Sequence, residues 1–321
     1  MILTVTLNPT VDRVIEIPDF RISRVNKIKR ERIRIAGGKG INVSRMVKIL
    51  GEETLATGWI GGNNGRFIKE SLKREGIFTD FVKIREENRV NITILDPVKR
   101  GETHLVDRGP RVSPEEIETL KKKLRKLRKR VKVVVFSGSA PRGVGKDIYY
   151  FLIREFQEDK IVTILDTSGE YLKKGLKANP VMVKPNEEEA EQLAGRKMNL
   201  KELICWGRSL GRENRIKIVV ISRAEKEVIV IKEKEKVLII DPPLIEPLNA
   251  VGAGDALVAG FAVGLARKEK IEKISSLGVA AGAASAESGR ESFPSLERIN
   301  ELTKRVKVRN FWSLKDYEKI K

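Results

Sequence analysis

The chain has 321 residues, with 64 Lys and Arg against 44 Asp and Glu, for a formal charge of +20. The lone Cys205 and lone His104 exclude a disulfide framework, a CxxC redox pair and thiolate or histidine-rich metal sites. No apolar run reaches the roughly 18 residues of a membrane span. Met1-Ile-Leu-Thr-Val5 opens like a strand rather than a basic leader, so a soluble cytoplasmic protein is expected.

In chain order, Leu3–Leu7 is a β-rich run ended by the turn signal Asn8-Pro9. Val11–Ile17, Val25–Ile35, Val90–Leu95 and Thr103–Val106 read as strands, several alternating apolar with polar as half-buried antiparallel strands do. Between them, Ile41, Val43, Met46, Val47 and Leu50 recur at helical spacing and Gly51 stops the helix. Ser113 caps a further helix, with Pro114 at its first position and Glu115 and Glu116 in its first turn. Its apolar stripe is Ile117, Leu120, Leu124, Leu127 and Val131, and its other face is Lys and Arg almost throughout. A solvated outer helix of an α/β layer accounts for this pattern.

Strands and helices then alternate. Val131–Phe136, Ile161–Leu165, Val181–Val183 and Ile216–Ile221 are continuous apolar strands, with a helix near Ile148–Phe156 and a Glu-rich one after Asn186. Val228–Ile231 and Val237–Ile240 form a hairpin across the charged turn Lys232–Lys236, and Ala256–Ala266 and Ile274–Ala286 are apolar helices. Such strands imply a parallel sheet covered on both faces. Four of them deliver polar residues at their C-terminal ends: Ser137-Gly-Ser139, Asp166-Thr-Ser-Gly169, Lys184-Pro-Asn186 and Ser222. Ligands of open α/β sheets bind outside those ends.

Ala250-Val-Gly252-Ala-Gly254-Asp255 leads straight into an apolar helix. Its glycines allow close backbone approach, and the helix N-terminus favours anions. The loop reads equally as a phosphate cradle with Asp255 as a general base, or as a Gly-rich turn with Asp255 stabilising a helix start. Gly37-Gly-Lys39-Gly-Ile-Asn42 offers similar close approach, with donors from Lys39 and Asn42. Neither segment is a GxxxxGK[ST] P-loop or a complete dinucleotide fingerprint.

Taken in order, these elements resemble the ribokinase-like sugar kinases of the phosphofructokinase B group. The likeness is carried by Thr4–Asp12, Gly37–Asn42, Gly58–Gly62, Arg89-Val-Asn91, Ser137–Ser139, Asp166–Gly169, Lys184–Glu189 and Gly252–Asp255. Thr-Leu-Asn-Pro and Arg-x-Asn point to the subgroup acting on phosphorylated hexoses, which includes 1-phosphofructokinase, tagatose-6-phosphate kinase and a 6-phosphofructokinase. The resemblance implies an α/β fold in a single domain over residues 1–321. It would be a three-layer αβα domain with a mostly parallel sheet, plus a β-sheet lid from about 11–35 and 88–107 that commonly makes a homodimer contact.

The resemblance also implies site roles. Asp255 would be the catalytic base, with Gly252, Ala253 and Gly254 as the anion hole. Asp12 would bind sugar hydroxyls with Gly38 and Asn42 beside it, Arg89 would hold the substrate's phosphate, and Lys39 and Ser139 would assist. Lys184, Asn186 and Glu189 would line ATP, with Asn186 and Glu189 holding Mg²⁺ through water. Ser222, Val279 and Ala283 fall where the family contacts the nucleotide. The expected reaction is ATP-dependent phosphorylation of fructose 1-phosphate, favoured by the Val251–Asp255 version of the loop. Tagatose 6-phosphate and fructose 6-phosphate are the alternatives, followed by an unphosphorylated sugar.

Two departures stand out. Arg223-Ala-Glu-Lys-Glu-Val228 lacks the glycines usual after the Ser222 position, so a reshaped hairpin is expected on the nucleotide side. Arg108 replaces a more acidic local pattern. A nucleic-acid-binding protein on a kinase fold, using Lys121–Arg130, is disfavoured because aromatics are only 5% and none interleave with the basic run as a stacking groove requires. Gln occurs only at 157 and 192, and the Lys, Arg and Glu excess resembles a thermophile surface.

Overall fold

The first strand buries both its faces, which sets the layering of the molecule: Leu3 and Val5 enter one core and Ile2 the other. The protein is described from a computed structural model covering residues 1–157, 161–232, 236–289 and 292–311. The N-terminal part comprises β1 (Ile2–Thr6), β2 (Thr10–Glu16), β3 (Arg30–Gly37), α1 (Lys39–Ile49), β4 (Thr54–Ile60), α2 (Gly62–Arg74), the short β5 (Phe78–Thr79) and β6 (Val82–Lys83), β7 (Arg89–Asp96) and β8 (Gly101–Leu105). It continues through α3 (Pro114–Leu127), β9 (Val133–Ser137), α4 (Ile148–Arg154), β10 (Val162–Asp166), α5 (Gly169–Leu176), β11 (Met182–Val183), α6 (Glu187–Ala194) and α7 (Leu200–Glu213). The last part holds β12 (Ile218–Ile221), β13 (Val228–Lys232), β14 (Lys236–Asp241), α8 (Ala253–Ala266), α9 (Ile271–Ser288), α10 (Leu296–Arg305) and β15 (Lys307–Phe311).

The main sheet runs β15-β14-β13-β12-β11-β10-β9-β1-β4-β5. From β12 to β5 the strands are parallel, and β13, β14 and β15 are antiparallel additions at one edge. Parallel strands need crossovers, and the intervening helices supply them on both faces. Helices α3 to α7 pack on the face of Leu3 and Val5, and α1, α8, α9 and α10 on the face of Ile2. Helix α8 is hydrophobic nearly all round because it lies between the sheet and α9, where Gly260 meets Gly278 closely enough that a β-carbon would sit 2.5 Å from the Gly278 Cα.

A second sheet, ordered β3-β2-β7-β8, is built from residues 10–37 and 89–105. Its strands are not all antiparallel as the alternation predicts: β2 and β7 pair in parallel. The long excursion through β3, α1, β4 and α2 brings β7 back beside β2 in the same direction. The strand predicted over Val25–Ile35 begins only at Arg30, and Val25 is 94% exposed. Glu16 anchors this region from a nearly buried position, bonded to Lys29 Nζ (3.0 Å), Arg30 Nε (2.9 Å) and Arg32 Nη2 (2.7 Å).

Other boundaries shift by a residue or two. Val131 is buried but lies beyond α3, after the 3₁₀ turn Arg128–Arg130. The hairpin of β13 and β14 is present, and the centre of its turn, residues 233–235, lies outside the described residues. Elements without a clear sequence signal are β4, α2, β5, β6, α5, α7, α10 and β15. The basic helix is an outer helix, as its pattern predicts: Leu120 and Leu124 are buried, Arg125 forks onto Glu155 at 2.8 Å, and Lys121 sits over the Phe151 ring. Among the described residues no helix is long and apolar enough to cross a membrane.

Candidate active site

The C-terminal ends of β1, β9 and β10 open into a cavity of about 270 Å³ against the small sheet. It is lined by Thr6, Asn8, Gly38, Lys39, Arg89, Asn91, Val106, Ser137, Gly138, Ser139, Thr167 and Ser168. Gly38 has φ 113°, and a β-carbon there would lie 2.8 Å from Thr6 Cγ2, so the tight turn into α1 requires glycine. Buried Thr6 Oγ1 and Asn8 Oδ1 have no hydrogen-bond partner among the described residues.

Arg89 reaches this cavity from the start of β7. Its guanidinium donates to Asn8 O (3.1 and 3.3 Å) and Asp107 O (2.9 Å). It makes no carboxylate ion pair among the described residues; the Asp12 and Asp107 carboxylates bear on its charge without bonding to it. Asp12 lies next to it on β2, and Asn91 Nδ2 donates to Asp12 Oδ1 at 3.0 Å. Burial raises the Asp12 carboxyl, against the opposing pull of Asn91 and Arg89. A β-carbon on Gly37 would collide with Asp12 Oδ2, so the glycine makes room for that carboxylate.

Asp255 stands in the first turn of α8, behind a Gly252 cap in the left-handed region with φ 88°. It is buried, and Asn42 Nδ2 donates to its Oδ2 at 2.8 Å. Asn42 therefore orients the Asp255 carboxylate. Burial pushes the Asp255 carboxyl up to about 6; Lys39 opposes this, Asp166 adds to it, and Asn42 and Lys184 oppose it. A carboxylate tuned toward neutrality at a glycine-rich helix start is suited to proton abstraction.

A buried charge cluster joins this end of the site to the cavity. Asp166 accepts from Ser137 Oγ (2.9 Å) and faces Lys184 Nζ (3.0 Å) and Lys39 Nζ (3.5 Å). Burial alone would raise Asp166; Lys184, Lys39 and Ser137 outweigh it and hold the carboxyl below its usual range. Lys39 in turn is raised, chiefly by Asp166, against its own burial and with help from Asp255 and Glu189. Lys184 Nζ lies 3.7 Å from where a β-carbon on Gly254 would be, so its ammonium flanks the glycine loop. Asp166 was visible in the sequence as a polar residue at a strand's C-terminal end with no role assigned; its part as the buried anchor of two lysines depends on adjacencies in the fold.

Asn186 and Glu189 form a reciprocal capping box at the start of α6, Asn186 Oδ1 accepting from Glu189 N (2.7 Å) and Glu189 Oε2 from Asn186 N (2.9 Å). Glu189 Oε1 and the second lone pair of Asn186 Oδ1 remain. That donor set fits a hydrated Mg²⁺ reached through water. Among the described residues no group of three or more His, Cys, Asp and Glu could ligate a metal directly. Ser222 closes onto this cap, Glu187 N donating to Ser222 O (2.9 Å) and Ser222 N to Pro185 O (3.2 Å). The glycine-free turn after it is fixed by Arg223, which is nearly buried, bonds Glu187 at 3.0 Å and pairs with Glu227. Val279 and Ala283 are buried in the core formed by α8 and α9 and do not line the cavity.

A fold of this topology with a glycine-capped helix and a buried aspartate at its first turn defines the class. The chain belongs to the pfkB family of carbohydrate kinases, whose model matches residues 6–298. It is 37% identical over 90% of its length to the 1-phosphofructokinase of Borreliella burgdorferi, covering 92% of that protein. It is 34% identical over 96% of its length to the tagatose-6-phosphate kinase of Staphylococcus epidermidis, covering 99% of that protein. Among solved structures, phosphofructokinase-2 from Escherichia coli superposes with a TM-score of 0.89 at 25% identity, over 94% of this chain and 98% of that one. The ribokinase-like architecture expected from the sequence is thus the architecture present.

Proposed function

We propose that this kinase transfers the γ-phosphoryl of ATP to a phosphorylated ketohexose, with fructose 1-phosphate the preferred acceptor and fructose 1,6-bisphosphate the product. The observation that carries the reading is Arg89: a guanidinium fixed by backbone carbonyls in a polar cavity, with no carboxylate partner among the described residues. An unphosphorylated sugar would leave that cation nothing to hold, whereas a phosphate suits its planar fork. The small sheet acts as a lid that carries Asp12 and Arg89 over the sugar. Exposed Leu105 and Val106 at the end of β8, with Ile22 and Val25 in the loop between β2 and β3, support a homodimer contact.

In the reaction, Asp255 accepts the proton of the attacking sugar hydroxyl. The oxygen–phosphorus bond forms as the bond to the β–γ bridging oxygen breaks, and ADP leaves. The backbone amides of Gly252 and Gly254, with Lys184 beside them, would meet the developing charge, whereas the expected third donor, the Ala253 amide, already donates to Ala250 O at 3.2 Å. Lys39 and Ser139 steady the acceptor, and Gly38 lets it approach the backbone. Asn186 and Glu189 would hold hydrated Mg²⁺, which supplies charge neutralisation on the phosphates, and Ser222 would border the nucleotide.

The test is ADP formation with ATP and Mg²⁺ against fructose 1-phosphate, fructose 6-phosphate, tagatose 6-phosphate, free fructose and free ribose. The highest kcat/KM is expected for fructose 1-phosphate. Turnover confined to the free sugars would refute the phosphate-binding role of Arg89.

A further inference from the structure

Asp255 is oriented by Asn42, and Asn42 is itself oriented from behind. Arg45 lies one turn further along α1 and is 5% exposed. Its Nη1 donates to Asn42 Oδ1 at 3.2 Å, and its other nitrogens fork onto Glu75, Nε to Oε2 at 2.6 Å and Nη2 to Oε1 at 3.0 Å. Ser71 Oγ adds a bond to Glu75 Oε1 at 3.1 Å, and the Phe293 ring lies 5.3 Å from Arg45 Cζ.

An arginine only donates, so the side of Asn42 facing it must be the carbonyl oxygen. That leaves the amide NH₂ no choice but to face Asp255, where it donates to Oδ2 at 2.8 Å. Reversed, the amide would present its oxygen to an ionised carboxylate and its NH₂ to a cation, two repulsive contacts in a buried setting.

We propose that the Arg45–Glu75 pair is a positioning device for the phosphoryl-transfer step, locking the Asn42 amide so that Asp255 is held ionised and aimed. The inference rests on Asp255 being the base. Arg45 and Glu75 touch no reacting atom; Arg45 hydrogen-bonds toward the site through Asn42, and its charge also bears on Asp12. The other charged groups facing Asp255 are Lys39 on α1, Asp166 at the end of β10 and Lys184 after β11. None of them bonds the Asn42 side chain, so they cannot set which way its amide points.

The test is a double-mutant cycle on the full-length enzyme, measuring kcat and both KM values with ATP, Mg²⁺ and whichever sugar phosphate wild type turns over fastest. Arg45→Met is expected to lower kcat roughly tenfold or more, the scale of a misaimed catalytic group, with both KM values within about threefold. Arg45→Lys, which retains one donor, should recover part of that loss. Asn42→Ala should lower kcat as well. In the Asn42→Ala background Arg45→Met should cost less than about twofold further, because the relay has already been cut. Where Arg45→Met fails to fold, Glu75→Gln keeps the test: it loosens Arg45 and should show the same dependence on Asn42. Effects that multiply across the cycle, or that appear in KM alone, would overturn the relay. Asp255→Asn measured alongside separates the two readings, since near-normal turnover in that variant would remove the base itself.

Discussion

Lys184 Nζ stands 3.0 Å from Asp166 Oδ1 and 3.7 Å from the point where a β-carbon on Gly254 would lie. A buried carboxylate thereby holds an ammonium at the mouth of a glycine-capped helix. Lys184→Met should damage both functions of the pair. It would leave Asp166 buried with Lys39 alone as its cation, costing about 3 kcal/mol by the usual penalty for breaking a buried pair. It should also raise KM for ATP. Thermal unfolding and nucleotide titration check the two effects separately.

Gly254→Ala separates chemistry from stability. Its backbone is helical, and the added methyl meets only the tip of Lys184 at an ordinary contact distance of 3.7 Å. Alanine is also the better helix former. The melting temperature should therefore stay unchanged or rise. A transferring phosphoryl group would meet the methyl, and kcat should fall about tenfold or more. Parallel loss of stability and activity would contradict this reading of the loop.

Arg89→Met should act on the acceptor. KM for the sugar phosphate is expected to rise about 30-fold or more with little change in KM for ATP, as loss of a charge-assisted fork predicts. A selective gain toward free fructose over fructose 1-phosphate would accompany it. An unchanged acceptor KM would move the phosphate elsewhere in the cavity.

The small sheet carries its own pH dependence. Lys29, Arg32 and Arg30 hold Glu16 at about 2, below its ordinary value of 4.5. A lowered folded-state value means that the stabilisation is present in full above the unfolded value and is lost as pH falls from about 4.5 toward 2. Hydrogen exchange across residues 17–29 should accelerate over that window. Glu16→Gln should show fast exchange already at neutral pH.

Much of the site was legible because glycines and polar residues at strand ends have few other reasons to recur in that order. The glycine loop at Gly252–Asp255, the turn at Gly38 and the ends of β9 to β12 were all readable as punctuation. What periodicity could not supply was adjacency. Strand β4 is buried along its whole length and so shows no alternation, and α2 begins with Gly62-Asn-Asn-Gly65, which reads as a loop. The partners of Asn42 were hidden for the same reason: Asp255 lies 213 positions away, and the Arg45–Glu75 fork spans 30. The parallel pairing of β2 with β7 likewise follows from chain tracing rather than local pattern. Val279 and Ala283, expected on the nucleotide side, are buried in the core formed by α8 and α9.

Asp255 is the centre of the account, and Asp255→Asn with wild-type pH dependence tests it most directly. With the carboxyl pushed up to about 6, kcat/KM of the wild type should fall about tenfold per pH unit below that value, and stay level above it until another group titrates. The substituted amide is nearly isosteric with the carboxylate and still able to bond within the site, so folding and KM should survive. The account predicts a kcat at least about 100-fold lower in Asp255→Asn, with the acid limb abolished in whatever activity remains. A variant that keeps near-normal kcat, or keeps the wild-type acid limb, would show that another group takes the proton.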